Sequence, residues 1–246
     1  MTRMFVHLRL HSEFSVVDGI NRIDDVVKVA SKDQQPALAV TDLNNMFGAI
    51  KFYKAARGKG VKPVLGAEIY LESLSQDASQ LSRMILLVQS HQGYLNLCEL
   101  LAQGWTSNVV REQSVLKWSW IERHHEGLIL LSGAQAGSLG QALLQNDLDR
   151  AREIALKMAG TFPHRFYIEL QRAGRADDEA HVQAAVQLAA RLNLPVVATH
   201  PVQFTSPDDY EAHEARVCIS EGEILANPRR PRKFTREQYF KSAAQM

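Results

Sequence analysis

Phe5-Val6-His7-Leu8-Arg9-Leu10-His11 alternates apolar residues with two histidines and an arginine. Read as an extended strand, it points His7, Arg9 and His11 to one face and Leu8 and Leu10 to the other. Six more apolar runs follow, at residues 37–41, 64–71, 84–89, 128–132, 165–170 and 195–199. Stretches with helical spacing separate them. In residues 45–56, Phe47, Ile50, Phe52, Tyr53 and Ala56 gather largely on one side, and Gly58 and Gly60 then stop the helix. Residues 177–192 start acidic, continue Ala-rich and end at Asn193, as a helix should. Seven strand–helix units predict an α/β fold with a mainly parallel sheet buried on both faces, which suits an open or closed barrel. Residues 73–82 read as a polar loop, and residues 106–118 fit neither period.

The chain has 246 residues, and its 28 basic and 27 acidic side chains leave a net charge of +1, without the basic excess of a generic nucleic-acid coat. With 46% hydrophobic and 22% charged residues it can build a core, so disorder is excluded as its main state. Cys98 and Cys218 are too few for a disulfide framework or a CxxC zinc module, and they read as reduced structural thiols. The N-terminus reaches His7 and Arg9 before a signal-peptide core can form, and the longest apolar run, residues 84–88, cannot span a bilayer. The expectation is a cytoplasmic protein with no membrane partner. At Asn227 the composition shifts to Pro228-Arg229-Arg230-Pro231-Arg232-Lys233. The division expected is therefore a barrel domain over residues 1–226 and a basic linker over 227–246. A short helical piece at 235–246 has no stop signal, as if the chain continued.

In parallel α/β folds functional side chains collect at the C-terminal ends of the strands. His7, Arg9, His11, Asp42, Glu68, Glu169 and His200 occupy such places. Histidines and carboxylates converging on one rim are what a divalent-metal hydrolase needs. The plainer meaning is a polar rim with hydrogen-bonded histidines. Arg9 argues for the plainer meaning, because a permanent guanidinium repels a dication and cannot ligate it. The turn Ser132-Gly133-Ala134-Gln135-Ala136-Gly137 matches neither GxGxxG nor a P-loop. His213 reads as surface or packing, and neither cysteine has a histidine placed beside it.

Several ordered blocks carry a resemblance to a known family. They are residues 5–19 (including His7, Arg9, His11, Ser12, Asp18 and Gly19), Pro36 to Asp42, Phe47-Gly48 with Lys51-Phe52-Tyr53, Gly60 to Glu68, Glu126 to Gly133, and Pro195 to Thr199. The chain resembles, along nearly its whole length, the PHP (polymerase and histidinol phosphatase) domain that opens the alpha subunits of bacterial C-family replicative DNA polymerases. That resemblance implies a distorted seven-stranded (β/α) barrel, TIM-barrel-like, whose metal-binding members hold three metals at the rim. Carried over position by position, the ligand sites correspond here to Arg9, His11, Asp18, Leu43, Glu68, Ala134, Pro201 and Gln203. His11, Asp18 and Glu68 keep ligand chemistry; the other five do not. No catalytic residue and no metal are therefore expected in this segment. Arg9 is expected to neutralise Asp18 or Glu68 in place of a cation.

The function this implies is a non-catalytic module of the polymerase alpha subunit. It would be a structural and docking domain for the separate 3′–5′ proofreading exonuclease subunit. The parent polypeptide would be a DNA-directed DNA polymerase (a nucleotidyltransferase) using Mg, meeting DNA through the holoenzyme. Its partners would be the rest of the alpha chain and the exonuclease. The alternative is a metal-dependent phosphoesterase or built-in 3′–5′ exonuclease, which would call for an intact HxH pair, a His at 43 and Asp-x-His at 201–203. A free-standing sugar-phosphate barrel enzyme would need a phosphate site and an acid–base pair that the sequence does not offer.

Overall fold

A computed structural model describes residues 5–72, 74 and 81–246. In chain order its elements are α1 (Ile23–Lys32), β1 (Ala37–Leu43), α2 (Ala49–Gly58), β2 (Lys62–Leu71), β3 (Ser82–Val88), α3 (His91–Ser107), β4 (Val109–Val110), β5 (Gln113–Leu116), α4 (Trp118–Ile121), β6 (Leu128–Leu131), α5 (Ser138–Leu144), α6 (Leu148–Thr161), β7 (Phe166–Leu170), α7 (Asp178–Leu192), β8 (Val196–Ala198) and α8 (Tyr210–Glu221). Two compact units divide the chain. The first comprises Met1–Leu65, Ala173–Arg175 and His200–Met246; the second comprises Gly66–Arg172 and Ala176–Thr199. The polar loop expected at 73–82 lies mostly outside the described residues, as do Met1 to Met4.

In the second unit the strands run in the order β4-β5-β2-β3-β6-β7-β8. The pairs β2–β5, β6–β7 and β7–β8 are parallel, whereas β3 lies antiparallel to both β2 and β6. The sheet is therefore mixed, which corrects the expectation of a mainly parallel one. The polar segment between β2 and β3 carries no helix in the sequence pattern, and a return without a crossover favours antiparallel pairing. Residues 106–118 take in the end of α3, a hairpin of β4 and β5, and the start of α4. The hairpin's two turn residues, Arg111 and Glu112, both take positive φ (49° and 64°), the twist that a two-residue hairpin prefers. Neither residue advertises that conformation, so the periodicity gave no signal.

The first unit packs α1, β1 and α2 around Leu10, Ile23, Val26, Val27, Leu38, Val40, Phe52, Val202 and Phe240. Residues 5–10 lie in this unit without forming a regular strand. Ala39 N–H donates to the His7 carbonyl (2.9 Å) and Thr41 N–H to the Leu10 carbonyl (2.8 Å). The Leu10 N–H, however, donates to Thr41 Oγ1 (3.0 Å) in place of a backbone carbonyl, which interrupts the ladder. Of the residues that gather on one side of α2, only Phe52 and Ala56 are buried; Ala49 completes the packed face. Phe52 and Ala56 join the α1 residues in one core cluster, while Ile50, Tyr53 and, just before the helix, Phe47 are exposed.

Residues 227–246 also belong to this unit, and the helix expected at 235–246 is replaced by turns and a single bridge from Tyr239 to Phe204. Phe240 N–H donates to the Phe204 carbonyl (2.9 Å) and Gln203 N–H to the Gln238 carbonyl (2.8 Å). The Tyr210 hydroxyl donates to the Phe234 carbonyl (3.3 Å), and Arg230 forms a buried ion pair with Glu214 of α8. Phe240 is 5% exposed and Gln238 fully buried, so this basic tail is woven into the unit's core. Truncation of Phe240 should therefore cost about 3–5 kcal/mol, the range for a buried phenylalanine. A Phe240→Ala variant is expected to show a clearly lowered midpoint in urea denaturation followed by circular dichroism.

Candidate functional site

The eight ligand-equivalent positions divide between the two units. Arg9, His11, Asp18, Leu43, Pro201 and Gln203 lie in the first, and Glu68 and Ala134 in the second. In the first unit the structure brings His11 and Asp18 together, with His11 Nδ1 2.8 Å from Asp18 Oδ1. The same oxygen accepts the Ser15 hydroxyl (2.8 Å). Beside them, Asp42 accepts the Ser12 N–H (2.6 Å) and the Ser12 hydroxyl (2.7 Å). Burial raises the Asp42 pKa, and the two Ser12 bonds oppose that shift. Arg9 is buried in this unit, at 4% exposure.

The other three positions here carry no ionisable group. Leu43 is buried and its N–H donates to Ser15 Oγ (3.1 Å). The Gln238 side-chain amide donates to the Pro201 carbonyl (3.4 Å), and Gln203 is 3% exposed. The loop positions thus act through the backbone, tying residues 201–203 to the tail.

Three buried histidines in this unit share one design. His7 Nε2–H donates to the Lys241 carbonyl (2.8 Å), His200 Nε2–H to the Tyr239 carbonyl (2.9 Å) and His213 Nε2–H to the Asp18 carbonyl (2.8 Å). Among the described residues, Nδ1 of His7 and of His213 has no hydrogen-bond partner. Rings lie beside them: Phe240 is 4.4 Å from His7, Phe234 is 4.6 Å from His213, and the His7 ring itself is 6.0 Å from His200, centroid to centroid. Such surroundings hold an imidazole neutral. Burial lowers the pKa of His7 and of His200 to about 4, and it lowers that of His213 as well. His213, at sequence level a surface or packing residue, is a packing one.

In the second unit Glu68 is fully buried in β2 and pairs with Arg83 Nη1 of β3 (3.3 Å). Arg83 Nη2 also donates to the Tyr70 hydroxyl (2.6 Å). The register explains the reach: Tyr70 stands opposite Arg83 and Glu68 opposite Ile85, so Arg83 is the diagonal neighbour on the same face. Sequence reasoning missed Arg83, because only antiparallel β2–β3 pairing places it there. Ala134 follows Gly133 in a tight turn and is fully buried. Gly133 is required by its φ of +82° and because a Cβ there would sit 1.9 Å from the Arg83 carbonyl oxygen. Glu169 accepts the Gly133 N–H (3.0 Å), the Gln171 side-chain amide (2.9 Å) and the Thr199 hydroxyl, which makes it a structural carboxylate. Among the described residues, no group of three or more His, Cys, Asp or Glu side chains could hold a metal ion.

Two outcomes follow. The unfolded chain protonates His7 and His200 below pH about 6.5, while the folded chain resists until about 4. The unfolded state therefore binds more protons across that window, so stability falls as pH drops from about 6.5 to 4, by roughly 3 kcal/mol per histidine. Chemical denaturation at a series of pH values should show this slope, and a His7→Gln, His200→Gln variant should flatten it. Separately, Arg83→Met should cost about 2 kcal/mol by leaving Glu68 without this cation. Adding Glu68→Gln should recover part of that loss in a double-mutant cycle.

A family model described as PHP domain matches residues 7–173. The DNA polymerase III subunit alpha of Pseudomonas aeruginosa is 47% identical over 246 residues, covering 100% of this chain and 21% of that protein. The corresponding subunit of Escherichia coli K12 is 39% identical over 243 residues, 98% of this chain and 21% of the relative. The chain thus spans about a fifth of the length of these curated relatives. Two solved structures share the fold. One is a candidate metal-dependent phosphoesterase from Bifidobacterium adolescentis (TM-score 0.54, 11% identity, 80% of this chain and 87% of that one). The other is an amidohydrolase from Chromobacterium violaceum with bound sulfate and no metal (TM-score 0.56, 13% identity, 86% and 96%). At such identities they speak to the fold alone, and they agree with the α/β barrel class expected of the sequence. No helix among the described residues is long and apolar enough to cross a membrane. With a matching model over more than half of its length, the chain belongs to the PHP domain family.

Proposed function

We propose that this chain is the N-terminal PHP module of a replicative DNA polymerase III alpha subunit, with a degenerate metal site, serving as a structural module and as a docking surface for the 3′–5′ proofreading exonuclease subunit. The likeness to polymerase alpha subunits over essentially the whole chain supports the parent assignment. The observation that carries the non-catalytic reading is the chemistry at the ligand positions. Leu43 and Ala134 are hydrocarbon, Pro201 has no side-chain donor, Gln203 is a neutral amide, and Arg9 is a fixed cation. The retained groups have other partners: Asp18 holds His11 and Ser15, and Glu68 holds Arg83. That donor set does not fit a multinuclear metal centre, where each ion needs several free ligands besides water. At Glu68, Arg83 takes over the charge balance that a cation would supply. In the parent polypeptide, Mg-dependent nucleotidyl transfer would belong to residues outside this chain.

The test is elemental mass spectrometry of the purified protein after incubation with zinc or manganese and desalting, together with hydrolysis of a chromogenic phosphodiester. Substoichiometric metal and no hydrolysis are expected. Stoichiometric metal that disappears in His11→Ala, Asp18→Asn or Glu68→Gln variants would overturn the degenerate-site reading and put phosphoesterase or exonuclease chemistry in its place.

A further inference from the structure

A cavity of about 390 Å³ opens among helices α5, α6 and α7 of the second unit, and none of the eight ligand-equivalent positions lines it. It lies at the C-terminal end of α5, a helix of 7 residues packed against both α6 and α7, which run for 14 and 15. A helix about 10 Å long does not reach along neighbours about 21 Å long, and room is left at its end. The chain reverses there through Asn146, at a φ of +58°, and Asp147 caps α6 by accepting the Arg150 N–H (3.0 Å). Leu143, Leu148, Leu188 and Leu192 give the cavity hydrocarbon walls. Leu143 and Leu188 are buried, whereas Leu148 is 46% exposed at the mouth.

The charged groups lining the cavity are Asp149, Arg152 and Arg191, with Asn146 and Gln187 as neutral amides. Asp149 stands in the first turn of α6 and Arg191 in the last turn of α7, each at the end that its helix dipole favours. Arg152 has no such place. The nearby carboxylates are engaged elsewhere: Glu153 pairs with Arg150 (3.4 Å) and Glu179 with Arg172. Among the described residues neither Arg152 nor Arg191 has an ion-pair or hydrogen-bond partner. Two guanidiniums against one carboxylate leave a single positive charge beside a wall of leucines.

We propose that this cavity binds a small organic acid, one carboxylate on a flexible aliphatic body. The volume falls in the range of small-molecule sites, which pair apolar walls with a few polar groups that fix orientation. The leucines cover the hydrocarbon, and the planar forks of Arg152 and Arg191 suit a carboxylate. Asn146 and Gln187 offer further amide donors. Asp149 repels a second negative charge on the ligand, which disfavours phosphate dianions and polyphosphates. A nucleotide fits poorly for another reason: no aromatic ring lines the cavity for a base to stack on.

The experiment titrates decanoate, kept below its micelle concentration, into the full-length protein by calorimetry. Decanol, which lacks the charge, and inorganic phosphate, which lacks the hydrocarbon, are run beside it. Wild type is compared with Arg152→Gln/Arg191→Gln and with Leu148→Glu, each checked by its melting curve. Saturable binding of one decanoate is expected, weakened about tenfold or more in both variants, with decanol weaker to a similar degree. Should the arginine pair fail to fold, Leu148→Glu carries the comparison, since it changes only a half-exposed side chain at the start of α6. A wild type that does not saturate with decanoate overturns the proposal. So does equal affinity in wild type and variants, which places the binding elsewhere on the protein. Phosphate that binds as well as decanoate and is lost in the arginine variant overturns it in favour of a plain anion site.

Discussion

Backbone groups buried in irregular segments need partners, and in the first unit histidines supply them. His7 and His200 reach the carbonyls of Lys241 and Tyr239, which lie in a tail with no regular ladder of its own. Each imidazole presents one N–H to a carbonyl, and burial makes its protonated form costly. The tail, residues 201–203 and the segment around His7 are held by these bonds and by the burial of Phe240. A residue type that reads at sequence level as metal chemistry thus serves as a neutral donor inside a core.

The carboxylates follow a related logic. Asp18, Asp42, Glu68 and Glu169 are all buried, and each accepts hydrogen bonds from groups within its own unit. An isolated buried carboxylate would be costly. Here His11 and Ser15, the two bonds from Ser12, the Arg83 guanidinium, and the Gly133 N–H with Gln171 and Thr199 each offset that cost. These carboxylates are thus engaged in ordinary structural bonding, each within its own unit.

Most strands could be read from their apolar runs, because residues such as 84–87 and 130–131 are buried in succession and need no subtle period. Helix α7 was equally legible, since its acidic start and its end at Asn193 are local signals. The identities of Arg9, Leu43, Ala134, Pro201 and Gln203, on which the expectation of a degenerate site rests, are read directly from the sequence. The side of α2 that packs was not, because the apolar spacing takes in Ile50 and Tyr53 as well as Phe52 and Ala56, and only the core cluster with α1 separates them.

Residue identities determined the α/β class and the family, since both are written in local pattern and side-chain type. Tertiary structure alone decided the direction of β3, the diagonal that joins Arg83 to Glu68, and the weaving of the tail into the first unit. Those features depend on pairings between segments far apart in the chain. Hydrophobic periodicity records whether a residue is buried, and it carries no information about which distant backbone buries it.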